Sequence, residues 1–134
     1  MQSKPRKIPF FDHCRIERPV RENGRCVARV EIAPDLTNSL EMAHGGLIMT
    51  LLDACMAGAA SSSVDPGYVS ITIDMQINFL SPGRGVLTAE GKVLRGGKSL
   101  IVVEGWVRDA QDGLVAKGTG LFRPVKSAAS KDSP

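Results

Sequence analysis

The stretch Ala43-His44-Gly45-Gly46-Leu47-Ile48-Met49-Thr50-Leu51-Leu52-Asp53-Ala54-Cys55-Met56-Ala57 decides the fold of this 134-residue chain. It places one carboxylate, Asp53, in the middle of an apolar segment that opens on two glycines. A buried charge without a partner is costly, so an acid in such a segment is kept for its charge or its proton. Free N–H groups at the start of a helix attract negative charge. The stretch therefore predicts a helix on which a carboxylate works beside a small oxyanion hole.

The helix is predicted to run from Gly45 to about Ser62. It is apolar on nearly every side, and a helix of that kind is expected to be buried all round. Small residues dominate its second half, so another part of the structure is expected to pack closely against it, and they would also permit close contact with a second helix; they are Ala57, Gly58, Ala59 and Ala60.

Strand patterns surround this helix. Asn23-Gly24 between residues 13–20 and 25–33 predicts a β-hairpin. After the helix, the apolar residues of segment 70–79 alternate and share one face, as in a half-buried strand; they are Ile71, Ile73, Met75, Ile77 and Phe79. Segments 86–95, 99–109 and 114–123 complete a predicted four-strand antiparallel meander. The expected fold class is α+β, with an antiparallel sheet wrapped around one long central helix.

Length and composition predict one domain. The apolar share of 43% and the charged share of 23% are ordinary for a globular chain. The polar ends, residues 1–11 and 126–134, are predicted to be flexible tails on a domain of residues 12–125. The formal net charge of +3 comes from these ends, so the domain is close to neutral and nucleic acid is not an expected partner.

The three cysteines, Cys14, Cys26 and Cys55, have no metal-ligand spacing with one another or with a histidine. No secretory leader or membrane-length apolar run is recognised. The expectations are therefore free thiols in the cytoplasm, with no metal and no membrane.

Five segments together resemble the hotdog-fold acyl-CoA thioesterases. They are Asn38, His44-Gly45-Gly46, Asp53, Ile77-Asn78-Phe79-Leu80-Ser81-Pro82 and Arg95-Gly96-Gly97-Lys98-Ser99. The similarity is closest to the branch with the phenylacetate-degradation thioesterases and one class of 4-hydroxybenzoyl-CoA thioesterases. It implies hydrolysis of an acyl- or aryl-CoA thioester to a carboxylate and free CoA, with no cofactor other than the CoA of the substrate.

The resemblance also implies roles for four residues. Asp53 corresponds to the family acid, the Gly45 N–H to the donor that polarises the thioester carbonyl, and Asn38 to an amide near the reacting centre. His44 either shapes the start of the helix or contacts the substrate, and the sequence leaves both roles open. Some members carry a hydroxyl one helical turn past the acid, where this chain has Ala57.

Thr50 and Ser61 are the alternative hydroxyls for that role, and the sequence favours neither. For the CoA phosphates, the resemblance points to the turn of Arg95, Gly97, Lys98 and Ser99. Arg84 in the preceding turn is a weaker candidate.

The spacing of Gly45 and Asp53 predicts a dimer. Eight residues separate them by about 12 Å along a helix and about 80° around it. A carbonyl held about 3 Å from the Gly45 N–H must also meet the base, the nucleophile or its water at about 3–3.5 Å. Two antiparallel helices across a two-fold axis satisfy both requirements and create two shared sites. By resemblance, such homodimers often pair into tetramers.

Several alternatives stay open at this stage. Asp53 can attack the thioester carbon and form a mixed anhydride, or it can deprotonate a water. A non-catalytic acyl-CoA sensor is the second functional class. Dehydration or hydration of an acyl thioester is the third and is disfavoured, because those relatives pair a histidine with an acid in a different local pattern. The sequence does not identify the acyl group or the metabolic pathway.

Overall fold

A long helix through the middle of the molecule organises the fold. In this computed structural model, which describes residues 7–127, the helix runs from Gly45 to Ser62, as predicted. The elements in chain order are α1 (Pro9–Cys14), β1 (Glu17–Glu22), β2 (Arg25–Glu31), α2 (Gly45–Ser62), β3 (Tyr68–Phe79), β4 (Val86–Arg95), β5 (Ile101–Arg108) and β6 (Leu114–Lys126).

The six strands form one antiparallel sheet in the order β1-β2-β4-β5-β6-β3. The predicted hairpin of β1 and β2 is confirmed, and its turn residues Asn23 and Gly24 have φ of 51° and 77°. A row of glycines crosses the sheet beneath α2, because Gly91, Gly105 and Gly118 stand opposite one another on β4, β5 and β6. A Cβ at Gly105 would lie 3.0 Å from the Met56 side chain, so this row lets the helix approach the sheet closely.

The predicted four-strand meander is wrong in one respect. Only β4, β5 and β6 follow one another in the sheet, while β3 crosses to the far edge and pairs with β6. The connection from β3 to β4 does not turn back as a hairpin, because Leu80 N–H donates to Val115 O and Ala43 N–H donates to Gly83 O. This order places strands on both flanks of α2, which is what an apolar helix requires for burial.

The prediction that α2 is buried on every side is also wrong. One stripe of the helix is half-buried or exposed in the single chain, and it comprises Gly46, Met49, Thr50, Asp53 and Ala57. By length and mean hydropathy α2 could pass for a membrane span, but 56% of it is buried inside the sheet. The open stripe is therefore the one face of α2 that the chain's own sheet does not cover.

The small residues of α2 are closely packed, as expected, but most of them contact the chain's own sheet and are not available to a second helix. Gly58, Ala59 and Ala60 are buried. A Cβ at Gly58 would lie 2.7 Å from the sulfur of Cys26 on β2. Only Ala57 remains on the open stripe, because the sheet curls around the other sides of the helix.

A β-bulge divides the predicted apolar face of β3. The pairing with β6 shifts between Thr72 and Asp74, so alternation is interrupted there. Met75 and Ile77 pack against the core, whereas Ile71 and Ile73 are 46% and 47% exposed.

The folded part extends further at both ends than the predicted domain of residues 12–125. Helix α1 begins at Pro9 and contains His13, which was predicted to start a strand. Strand β6 continues to Lys126, and Ser127 is buried. The rest of the predicted tails, residues 1–6 and 128–134, lies outside the described residues.

Candidate active site

The start of α2 presents a free backbone donor. His44 is the N-cap residue, and its Nδ1 accepts a hydrogen bond from Gly46 N–H at 2.8 Å. The N–H groups of Leu47 and Ile48 donate to His44 O. Within residues 7–127 no group accepts from the Gly45 N–H, which therefore remains available at the positive end of the helix.

Asn38 lies beside this donor. Gly45, Asn38 and the ring of Phe79 line one depression of about 350 Å³. The Asn38 side-chain oxygen accepts from the N–H groups of Leu40 (2.8 Å) and Met42 (3.2 Å), which closes the loop before α2. Its side-chain NH2 has no partner in the part of the chain that the structure describes, so it can donate into the depression.

Asp53 lies two turns further along the open stripe of α2 and is half-buried. The hydroxyl of Thr72 on β3 donates to Asp53 Oδ1 at 2.6 Å. A hydrogen bond to an ionised oxygen is short and strong, so it fixes the orientation of the carboxylate. The second oxygen, Oδ2, has no such bond among the described residues and is free for chemistry.

Thr72 is the hydrogen-bond partner of Asp53 that the sequence did not predict. Neither proposed alternative approaches Asp53: Thr50 Oγ1 donates to Gly46 O at 2.8 Å, and the Ser61 hydroxyl is hydrogen-bonded to that of Ser70 at 2.9 Å. The alternating pattern does place Thr72 on the polar face of β3. That face turns toward α2 only because of the β-bulge, which the pattern does not reveal.

One chain does not bring the acid and the donor together. Asp53 lines a second depression of about 290 Å³, together with Phe10, Phe11, Met49 and Met75. Gly45 and Asn38 belong to the first depression. The separation agrees with the distance of about 12 Å that eight helical residues impose.

The residues predicted to contact CoA fall at two places. Gly97 and Lys98 line a groove of about 560 Å³ with Tyr68, beyond the C-terminal end of α2. Arg95 and Ser99 are exposed in the same turn but do not line the groove. Arg84 is exposed next to Gly83, which lines the depression at the other end of α2.

Both the sequence and the fold of this chain are similar to those of known proteins. The family model of the thioesterase superfamily matches residues 40–116, more than half of the chain. This chain belongs to the thioesterase superfamily.

Individual relatives extend this superfamily assignment. A protein of Saccharolobus solfataricus is 39% identical over 102 residues, which cover 75% of this chain and 72% of the relative. Acyl-coenzyme A thioesterase 13 of Homo sapiens is 31% identical over 81 residues, 58% of this chain and 56% of that protein. The BH2602 protein of Bacillus halodurans, solved with CoA, has a TM-score of 0.80 and 33% identity, covering 90% of this chain and 78% of that one. This superfamily member is thus a hotdog-fold thioester hydrolase.

Cys55, two residues after Asp53, is not exposed at the candidate site. Cys55 is fully buried, and its thiol donates to Cys26 O at 3.3 Å. The neighbouring Cys26 side chain and burial both raise the pKa of the Cys55 thiol. Cys14 and Cys26 are also free and buried. Within residues 7–127, His, Cys, Asp and Glu side chains form no group of three that could hold a metal.

Proposed function

We propose that the protein is an acyl-CoA thioesterase that works as a homodimer with two shared sites. Asp53 of one chain acts as general base or nucleophile, and the Gly45 N–H of the partner chain stabilises the oxyanion. The observation that carries this proposal is the free Gly45 N–H, held at a helix start but away from Asp53 of the same chain. The CoA found with the Bacillus halodurans relative supports the substrate class.

The open stripe of α2 supports the dimer. When Asp53 faces the partner's Gly45 across a two-fold axis, the axis passes beside the residue midway between them, Met49. Met49 is 47% exposed in the single chain and belongs to the only side of α2 that the sheet leaves open among the described residues. Antiparallel pairing of two such stripes covers it and brings two acids to two donors.

The proposed chemistry polarises the thioester carbonyl at the Gly45 N–H, with the Asn38 NH2 close by. In one route Asp53 Oδ2 takes a proton from a water whose oxygen bonds to the carbonyl carbon. In the other route Oδ2 itself bonds to that carbon and water later cleaves the anhydride. In both, the C–S bond breaks, CoA leaves with the electron pair, and the acyl group is released as a carboxylate.

CoA itself supplies the phosphates that the protein must hold. We propose that the groove at Gly97 and Lys98 takes the nucleotide end, with Arg95, Ser99 and Arg84 as outer contacts. Lys98 is the cation that lines this groove, and a phosphate gains from such a charge when it is partly removed from water. No further cofactor is proposed.

A thiol-release assay on a panel of acyl-CoAs tests the proposal, with Asp53→Asn beside the wild type. Removing a general base or nucleophile is expected to lower kcat by about 10²–10⁴-fold. Asp74→Asn is the matched control, because Asp74 is an exposed acid on β3 outside both depressions. Equal loss in both variants, or no loss in Asp53→Asn, contradicts the role of Asp53. Binding of acyl-CoA without any turnover would identify a sensor instead.

A further inference from the structure

Two of the buried cysteines meet where β2 packs against α2. The Cys55 thiol donates to Cys26 O at 3.3 Å, and neither residue is exposed to solvent. Cys55 follows Asp53 by two residues, which places it about 200° around the helix from the acid. Neither thiol lies on the open stripe of α2 that the proposed dimer covers, and the proposed hydrolysis uses neither.

The Cys26 sulfur occupies a notch that Gly58 leaves in the surface of α2. A Cβ at Gly58 would lie 2.7 Å from this sulfur, so a side chain there would displace it. Gly58 comes three residues after Cys55, and residues at that spacing lie on one face of a helix with their Cβ positions about 5–6 Å apart. The two thiols are therefore neighbours across a single contact between α2 and β2.

Two arginines of the edge strand β1 separate this notch from solvent. Arg21 stands opposite Cys26 in the pairing of β1 with β2. Arg21 Cγ and Arg18 Nη1 lie 3.1 Å and 3.2 Å from the same Cβ position at Gly58. Both arginines are half-buried, so they extend from the notch to the surface. The Cys26 sulfur thus lies one side-chain layer below solvent, and motion of two long side chains admits a small molecule to it.

The two thiols differ in how readily they ionise. The neighbouring Cys55 side chain lowers the pKa of the Cys26 thiol against the opposing effect of burial, and the charges of the two arginines lower it further. The pKa of the Cys55 thiol is instead raised, by the Cys26 side chain and by burial. Because the thiolate is the form that attacks an oxidant, Cys26 is the nucleophile of the pair and Cys55 stays protonated beside it.

We propose that Cys26 and Cys55 are a peroxide-sensitive dithiol, which closes to a disulfide and thereby switches the thioesterase off. The Cys26 sulfur attacks one oxygen of hydrogen peroxide and keeps it as a sulfenic acid, while the O–O bond breaks and the other oxygen leaves as water. The Cys55 sulfur then displaces hydroxide from the sulfenic acid, and the Cys55 proton leaves with that hydroxide as a second water. The two thiols lose two electrons in total, and the peroxide gains them.

The disulfide acts on the proposed site through the position of α2. Bonded sulfurs lie about 2.05 Å apart, closer than non-bonded atoms approach, so the bond draws α2 toward β2. Asp53 faces the other way and accepts from the Thr72 hydroxyl on β3, the strand at the opposite edge of the sheet from β1. Movement of α2 away from β3 lengthens this hydrogen bond, and a misplacement of about 1 Å can lower a rate by about 10²-fold. The effect on activity rests on the proposed function, whereas formation of the disulfide does not.

Peroxide treatment of the full-length protein, ended with catalase, tests the proposal. Peptide mapping by mass spectrometry without reductant shows which cysteines are joined. The wild type is expected to form the Cys26–Cys55 disulfide and to lose about tenfold or more in kcat, and dithiothreitol, removed by desalting, is expected to reverse both changes. Cys26→Ala and Cys55→Ala are each expected to keep their untreated activity. Cys14→Ala is the matched control, because Cys14 is a buried free thiol on α1, and it should respond as the wild type does.

Three results would overturn the proposal. The first is that both thiols remain free after treatment. The second is a Cys26–Cys55 disulfide that leaves kcat unchanged. The third is an equal loss of activity in Cys26→Ala and the wild type, because oxidation elsewhere in the chain would then be the cause. The mass measurement does not depend on turnover, so a protein that forms the disulfide but hydrolyses no acyl-CoA in either state would reject the proposed function and leave the modification site standing.

Discussion

The start and the middle of α2 carry the two halves of the proposed site, and they are built differently. The donor half consists of His44, Gly45 and Asn38, residues close in sequence, whose geometry is set by backbone and capping hydrogen bonds. The acid half consists of Asp53 and Thr72, which meet only because β3 returns beside the helix. The donor half is therefore fixed once the helix forms, whereas the acid half depends on one side-chain contact between distant elements.

The two halves therefore lose their function through different kinds of substitution. In the donor half the chemical group is a backbone N–H, so substitutions must act on the backbone to remove it. In the acid half the Thr72 hydroxyl holds Asp53 Oδ1 and thereby orients the carboxylate, so a change of the Thr72 side chain alters that orientation while the acid remains. Substitutions in the two halves therefore distinguish loss of the donor from misorientation of the acid.

The largest of these effects is expected from Gly45→Pro. Proline is favoured at the first position of a helix, and His44 already has φ −61° and ψ 138°, which suit a residue before proline. The substitution removes the N–H and leaves the helix, so kcat should fall by about 10²–10³-fold. Steady-state kinetics and circular dichroism provide the measurement.

Gly45→Ala is the matched control, because it keeps the N–H. A Cβ there would make ordinary contact with the Phe79 ring, at 3.7 Å. If Gly45→Ala and Gly45→Pro lose the same activity, the backbone donor is not the group that matters.

A smaller loss is expected from Thr72→Val. It removes the hydroxyl that donates to Asp53 Oδ1 and keeps the shape of the side chain. A hydrogen bond to a charged group contributes about 1.5–3 kcal/mol, so kcat should fall by about 10–100-fold with KM little changed. Thr72→Ser should restore most of the activity, and a failure of serine to do so would argue that Thr72 acts only through packing.

Gly105→Ala should lower the free energy of unfolding and should leave both halves of the proposed site unchanged. Its Cβ would lie 3.0–3.1 Å from Met56, Leu52 and Glu90 O, and such overpacking costs about 1–3 kcal/mol. Denaturant unfolding measures the change. Gly96→Ala is the control, because nothing lies within 4 Å of its Cβ position. Equal midpoints for the two variants would show that the glycine row is not what brings α2 onto the sheet.

The sequence predicts more of the donor half than of the acid half, for physical reasons. The bounds of α2, its glycine pair and its N-cap depend on neighbouring residues, so residues 43–62 alone predict them. The position of β3 at the sheet edge depends on pairing with β6, some fifty residues later, and on a bulge that local alternation does not encode. The sequence therefore did not predict that Thr72 contacts Asp53. Gly58 was misassigned in the same way, since its neighbour Cys26 comes from a strand earlier in the chain.

The central claim, that each site joins Asp53 of one chain to Gly45 of the other, is tested most directly by mixed dimers. Asp53→Asn and Gly45→Pro chains carrying different tags are co-expressed, and the heterodimer is purified through both tags. Each homodimer has two broken sites. The heterodimer has one site with both groups intact, so the account predicts about half of the wild-type kcat per dimer. Activity no higher than that of the two homodimers would contradict it, because the acid and the donor would then belong to the same chain.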